Sequence, residues 1–226
     1  MILEVRAEAP FHKNGFVVGC ERTREGVLID PGDEVDGLLG AVRDHDLQIL
    51  YILLTHAHID HITGVGAAKD ALDAPVYLHK DDLFLYDAVV QQGAMLGFKV
   101  RRQPPVDVFY DMTSMAPIHF GDYEVRLHHT PGHCPGGVCL QIGKKSAAGK
   151  EAGRDLFVGD TLFAGSIGRT DLPGGDYATL MRSITEVLFP LGDDAVVHPG
   201  HGPDTTIGRE RTTNPFVVEY LAARDH

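Results

Sequence analysis

The sequence predicts an α/β fold: sheets of buried strands with amphipathic helices laid on their outer side. Three observations carry that expectation. Short aliphatic runs alternate with stripes of helical period through the first half of the chain, the pattern of β-α-β-α units. Strands and helices come as two similar sets, with no repeat of fixed period. Four apolar runs end in a turn that delivers His or Asp, so several side chains of one chemistry are offered at strand ends.

Ile2 to Glu8, Phe16 to Glu21 and Gly26 to Ile29 read as an antiparallel meander, with Asn14-Gly15 and Glu21 to Arg24 as turns. Asp30-Pro31-Gly32 then makes a tight turn that leaves a carboxylate at a strand end, where Asp30 either shapes the turn or braces an imidazole from behind. From Asp33 to Asp44, Val35, Leu38, Leu39 and Val42 recur at helical spacing, with Asp33 and Glu34 in the first turn. Ile49 to Leu54 is the next strand. Asp60 to Leu72 is a helix whose Gly64, Gly66, Ala67 and Ala68 permit close approach to a sheet. Pro75 to Leu78 is a strand, and Asp81 to Leu96 a helix with a Phe84, Leu85, Ala88, Val89 face.

Gly97 to Ser114, with Pro104-Pro105, reads as a surface loop suited to walling a substrate channel. Ile118 to His129 forms a hairpin about Gly121-Asp122, Val138 to Ile142 a strand, and Gly143 to Gly153 a small, polar hairpin tip with no phosphate-loop ending. Leu156 to Gly159 is a buried strand ending at Asp160. Tyr177, Leu180, Met181, Ile184, Val187 and Leu188 make a helical core stripe. Ala195 to Val197 runs into His198-Pro199-Gly200-His201, and Asn214 to Arg224 closes the chain as a helix.

At 226 residues the chain suits one domain over 1–226. A net charge of −12 and the absence of Lys/Arg runs argue against nucleic acid and against an anionic membrane as partner. The N-terminus lacks the apolar stretch of a secretory signal, and no apolar run approaches the roughly 20 residues of a membrane span. Cys20, Cys134 and Cys139 have neither metal-type nor disulfide-framework spacing, which suits the cytoplasm. Oligomeric state is not legible.

The chemistry concentrates in Thr55-His56-Ala57-His58-Ile59-Asp60-His61, three imidazoles and a carboxylate at the end of a buried strand. Thr130-Pro131-Gly132-His133, Gly159-Asp160 and Pro199-Gly200-His201 repeat the design. Mixed nitrogen and carboxylate donors suit Zn, Fe or Mn. Five histidines and two aspartates exceed what one tetrahedral ion takes and match two ions sharing a carboxylate. Asp60 has a competing use as a helix N-cap, and Cys134 beside His133 reads as an inert small side chain.

His-x-His-x-Asp-His followed by single His, Asp and His resembles the metallo-β-lactamase superfamily over nearly the whole chain. Leu162 to Asp171, Pro199 to Pro203 and Arg211 to Phe216 are similar to its single-domain, glyoxalase II-like hydrolases. About 25 residues follow His201, too few for the helical glutathione-binding domain of the two-domain enzymes. The resemblance implies an αββα sandwich of two mixed sheets. It assigns His56, His58 and His133 to one metal, Asp60, His61 and His201 to a second, and Asp160 to both, with zinc the first expectation and iron or manganese the alternatives. It further implies attack of a metal-bridging hydroxide on a thioester such as S-lactoylglutathione, with Asp60 also relaying a proton. Arg169 falls where related enzymes place a basic residue on glutathione; a salt bridge to Asp171 or Asp176 is its competing role. Histidines 12, 45, 79, 119, 128, 129, 198 and 226 have no place in the motif. The alternatives are a mononuclear iron persulfide dioxygenase, which His58 to Gly64 also resembles, and a lactonase or other ester hydrolase with the same ligands.

Overall fold

The computed structural model describes residues 1–144 and 154–224. The hairpin tip expected within 143–153 lies outside the described residues from 145 onward. Two compact units make up the chain, Met1–Tyr123 and the part from Glu124 onward.

The first unit opens with β1 (Ile2–Glu8), β2 (Lys13–Gly19) and β3 (Glu25–Ile29), an antiparallel meander in which β2 is buried throughout. Helix α1 (Val35–Asp44) follows, burying Leu38, Leu39, Ala41 and Val42 as their spacing requires. Next come β4 (Gln48–Leu53), α2 (Ile59–Ile62), α3 (Val65–Leu72), β5 (Val76–Leu78), α4 (Leu83–Asp87), α5 (Val89–Met95), β6 (Val108–Phe109) and β7 (Ile118–Phe120). The sheet order is β1-β2-β3-β4-β5-β6, with β3 to β6 parallel. Because β3 and β4 run parallel with Ile29 opposite Leu53, the chain leaves both strands at one edge. Asp30 and the histidine cluster therefore emerge side by side.

The first unit departs from four of these expectations. Asn14-Gly15 lies inside β2, and the turn falls earlier, where His12 N–H donates to Glu8 O at 2.8 Å. Gly15 serves close packing: a Cβ there would collide with the Glu34 carboxylate and Leu38. The helix expected from Asp60 to Leu72 breaks at Gly64, whose N–H donates to Pro31 O at 3.0 Å and whose Cβ position is filled by Gly32 O and Val35. The next helix breaks at Ala88 and buries Leu85, Tyr86 and Val89, leaving Phe84 exposed. The presumed loop after Gly97 contains β6 and the buried Tyr110.

The second unit contains β8 (Tyr123–His129), β9 (Val138–Lys144), β10 (Asp155–Gly159), β11 (Leu162–Phe163), β12 (Ser166–Ile167), α6 (Tyr177–Arg182), β13 (Val196–Pro199), β14 (Thr205–Thr206), α7 (Ile207–Thr213) and α8 (Pro215–Arg224). The sheet order is β14-β13-β10-β9-β8-β7, and β10 and β13 are parallel with Gly159 opposite Pro199. Asp160 and His201 thus leave neighbouring strands at the same edge. Helix α6 continues into a π-helical turn, Ser183–Leu188. Leu180, Met181, Ile184 and Leu188 pack onto Leu156, Val158 and Val197, while Tyr177 stays exposed.

His198 ties β13 to its surroundings. Its Nε2 lies 3.0 Å from Asp155 Oδ1, its Nδ1 3.1 Å from Asp204 Oδ1, and its ring stacks on Phe157. Burial works against its charged form, but the hydrogen bond and ion pair with Asp155 and the ion pair with Asp204 outweigh it, raising the pKa above the ordinary histidine value.

Two outcomes follow from this packing. Gly64→Ala is expected to cost about 1–3 kcal/mol in urea unfolding, because carbonyl oxygens and Val35 must shift. Gly40→Ala, in α1 with nothing closer than the far end of Arg43, is expected to gain roughly 0.5–1 kcal/mol. Equal effects would contradict the assigned packing. His198 stabilises through its protonated form, so its contribution is full below the ordinary histidine pKa and is lost as pH rises through the raised value. The Tm gap between wild type and His198→Asn should therefore narrow on going from pH 6 to 9, and a constant gap would refute the ion-pair account.

Candidate metal centre

In the first unit the histidine cluster sits on the turn between β4 and α2. Asp30, left-handed at φ 48° and 1 % exposed, organises it. Its Oδ1 accepts Thr55 N–H at 2.7 Å, and its Oδ2 accepts the Thr55 hydroxyl at 2.5 Å. The same Oδ2 lies 3.0 Å from His61 Nδ1. A carboxylate only accepts, so His61 carries its proton on Nδ1 and turns the lone pair of Nε2 the other way. Thr55, having donated its hydroxyl proton to Asp30, accepts from His56 Nδ1 at 3.1 Å and sets the same tautomer there. The His56 ring lies 5.0 Å from that of His58 and 4.0 Å from that of His61.

Asp60 is the second residue of α2. The N-cap position belongs to His58, and no side chain caps the helix, so the capping use of Asp60 is excluded. Its Oδ2 stands 3.6 Å from His61 Nε2.

The second unit carries a donor set of the same chemistry. His133 Nδ1 donates to the Arg169 carbonyl at 2.7 Å, which again reserves Nε2 for a ligand role. Nε2 of His133 and Nε2 of His201 each lie 3.7 Å from the same oxygen, Asp160 Oδ2. These separations exceed hydrogen-bond length. They approach the roughly 3.4 Å between ligand atoms that share a tetrahedral ion at about 2.0–2.2 Å. One carboxylate oxygen facing two imidazole lone pairs suits a shared ligand. The donor set and its fixed tautomers therefore fit the binding of divalent metal within each unit.

Arg169 places its guanidinium bidentately on Asp171, at 2.7 and 2.8 Å, with both side chains exposed. Its carbonyl, which holds His133, is a role that its side chain does not advertise. Cys134 is fully buried beside His133. Among the remaining histidines, His45 pairs with Glu4, His128 with Gln141 and His129 with the Pro135 carbonyl, while His226 lies outside the described residues.

Several supporting residues carried no sequence signal. Buried Asp82 accepts Ala57 N–H at 3.1 Å, and Gln92 accepts Ile59 N–H at 3.0 Å, fixing the turn that bears His56 and His58. Buried Lys13 reaches both the Asp30 carbonyl and Glu34, the latter at 2.5 Å, bracing the Asp30 turn. In the second unit, fully buried Glu210 accepts from Gly165 N–H, Thr205 Oγ1 and Asn214 Nδ2, at 2.8, 2.5 and 2.9 Å. It thereby ties the β11–β12 hairpin to the chain that follows His201.

Comparison with known proteins shows the family and the fold. The family model of the metallo-β-lactamase superfamily matches residues 10–201. The hydroxyacylglutathione hydrolase GloC of Haemophilus influenzae is 32% identical over 96% of this chain and 98% of its own length. Among solved structures, the B3 metallo-β-lactamase BLEG-1 superposes with a TM-score of 0.83 at 36% identity, covering 96% of this chain and 99% of that one. TTHA1623, solved in a di-iron-bound form, gives 0.78 at 39% identity, with 94% and 99% covered. ETHE1 from Myxococcus xanthus gives 0.72 at 27% identity, with 100% and 92% covered. The chain is a member of the metallo-β-lactamase superfamily of metal-dependent hydrolases, with its fold of two mixed sheets flanked by helices.

Proposed function

We propose that this protein hydrolyses a thioester, S-lactoylglutathione or a related acyl-glutathione, at a two-metal centre. In this reading His56, His58 and His133 hold one ion, Asp60, His61 and His201 the other, and Asp160 both. The observation that carries it is the pair of imidazole nitrogens facing one oxygen of Asp160, each 3.7 Å away, as a carboxylate between two ions requires. The likeness to GloC over nearly the full length of both chains supports the thioester, and the di-iron form of TTHA1623 supports two ions. When bound, such ions supply a hydroxide nucleophile at neutral pH and polarise the scissile carbonyl. The chain's own residues do the rest. Asp30, Thr55 and the Arg169 carbonyl hold the Nδ1 protons, which keeps the Nε2 lone pairs aimed as ligands. Asp60 accepts a proton at its carboxylate as the substrate is attacked. Arg169 offers a cation to one carboxylate of the thiol carrier by leaving Asp171. Cys20, Cys134 and Cys139, all buried thiols, suit a cytoplasmic location. Among the described residues no helix is long and apolar enough to cross a membrane.

A second reading, iron-dependent persulfide oxygenation, rests on the resemblance of His58 to Gly64 to that branch of the superfamily. Metal count separates the two. Protein as purified should contain two ions per chain, zinc first, with iron or manganese as alternatives, and should release free thiol from S-lactoylglutathione. Stripping the metal with a chelator should abolish turnover and re-addition restore it, while Asp60→Asn should lower kcat by on the order of 10²-fold or more. One iron per chain with oxygen uptake on glutathione persulfide would replace this reading. Turnover of a lactone or β-lactam without any thioester would confine the protein to the ester or amide branch.

A further inference from the structure

A cleft of about 520 Å³ lies in the first unit between α3 and the segment that follows α5, lined by Lys99, Arg101 and Arg102 on one wall and by Asp33, Thr63 and Asp70 on the other. Its size is that of a small-molecule site. The three cations are exposed, and none makes an ion pair among the described residues. Arg22, Arg126, Arg154, Arg169 and Arg211 each hold a carboxylate; among the described residues Arg24, Arg43, Arg182 and Arg209 do not, but they are spread along the chain rather than gathered at one cleft. In a chain of net charge −12, acids are abundant, yet these three like charges within four residues are left facing a concavity.

The placement is built. Gln103, nearly buried, accepts Gly66 N–H at 2.8 Å and donates to Thr63 O at 3.2 Å and to Arg101 O at 3.0 Å. Tyr86 Oη donates to Pro104 O at 2.7 Å. The basic segment is thus pinned by its backbone to the start of α3, and its side chains are carried to the cleft. On the facing wall, Asp33 accepts the Thr63 hydroxyl at 2.8 Å, so one of the two carboxylates is already engaged. Three cations against two carboxylates leave the cleft positive, with the positive charge gathered on the 99–102 side. Thr63 stands two residues beyond His61, at the C-terminal end of α2.

We propose that this cleft binds a small anion bearing phosphate or clustered carboxylates and, resting on the reading of the previous section, that it seats the anionic, non-reacting end of the thiol carrier. Arg101 and Arg102 supply bidentate contacts and Lys99 a point charge. Asp70 keeps the anion against the basic wall.

Calorimetric titration of the metal-loaded full chain with inorganic pyrophosphate and, separately, with citrate tests this. At least one should bind saturably at one site, with affinity that falls as salt rises. Which of the two binds tells phosphate from carboxylate chemistry. Arg101→Ala/Arg102→Ala, at exposed positions, should weaken that binding at least tenfold with an unchanged circular dichroism spectrum and metal content, whereas Arg22→Ala should leave it intact. The double variant should also raise KM for an anionic thioester about tenfold at constant kcat, and should not alter KM for an uncharged one. Absence of saturable binding by both anions, or equal affinity in the double variant, overturns the proposal. Loss of all thioester turnover in wild type would instead remove the hydrolase reading and leave the titration to decide the cleft.

Discussion

The structure depends on where the Nδ1 protons of its buried histidines go. An imidazole in a site of this kind has to present a lone pair and hide a proton, and the proton needs an acceptor that cannot turn round and donate. Asp30 serves His61 directly and His56 through Thr55. The Arg169 carbonyl serves His133. Remove these acceptors and the same histidines would rotate or change tautomer, and the spacing of the motif would have no consequence.

Topology places the acceptors. In each unit two parallel neighbours, β3 with β4 and β10 with β13, end at a common edge, so residues far apart in sequence leave the sheet side by side. Asp30 N–H on Leu53 O, and Gly200 N–H on Gly159 O, continue the ladders into the functional turns. Buried polar groups then lock those turns. Lys13 and Glu34 form an ion pair that is 1 % exposed on both sides, and Glu210 makes three hydrogen bonds at full burial. Such groups are costly to bury and strongly destabilising to break singly, which makes them better at fixing one geometry than at adding stability.

Much of this was legible in the sequence because it rests on local periodicity and residue type. The strands read out as apolar runs, α1 as a stripe at helical spacing, and the donor residues as His and Asp at strand ends. What was not legible rests on partners brought in from a distance. Asn14-Gly15 looks like a turn, and only the approach of Glu34 and Leu38 shows why a glycine sits mid-strand. Gly64 looks like a small helix residue until Gly32 and Val35 fill its Cβ position. Asp82, Gln92 and Glu210 are ordinary polar residues by composition, and the Arg169 carbonyl is a group that every residue has. Phe84 falls on the exposed side because the helix breaks at Ala88, which periodicity alone does not report.

The most direct measurement of the central claim is anomalous diffraction at the absorption edge of the metal found in purified protein. The account expects two peaks about 3.5–4 Å apart, one at the Nε2 atoms of His56, His58 and His133, the other at Asp60, His61 and His201, with Asp160 touching both. A single peak, or coordination through Nδ1 of His61 or His133, would contradict it.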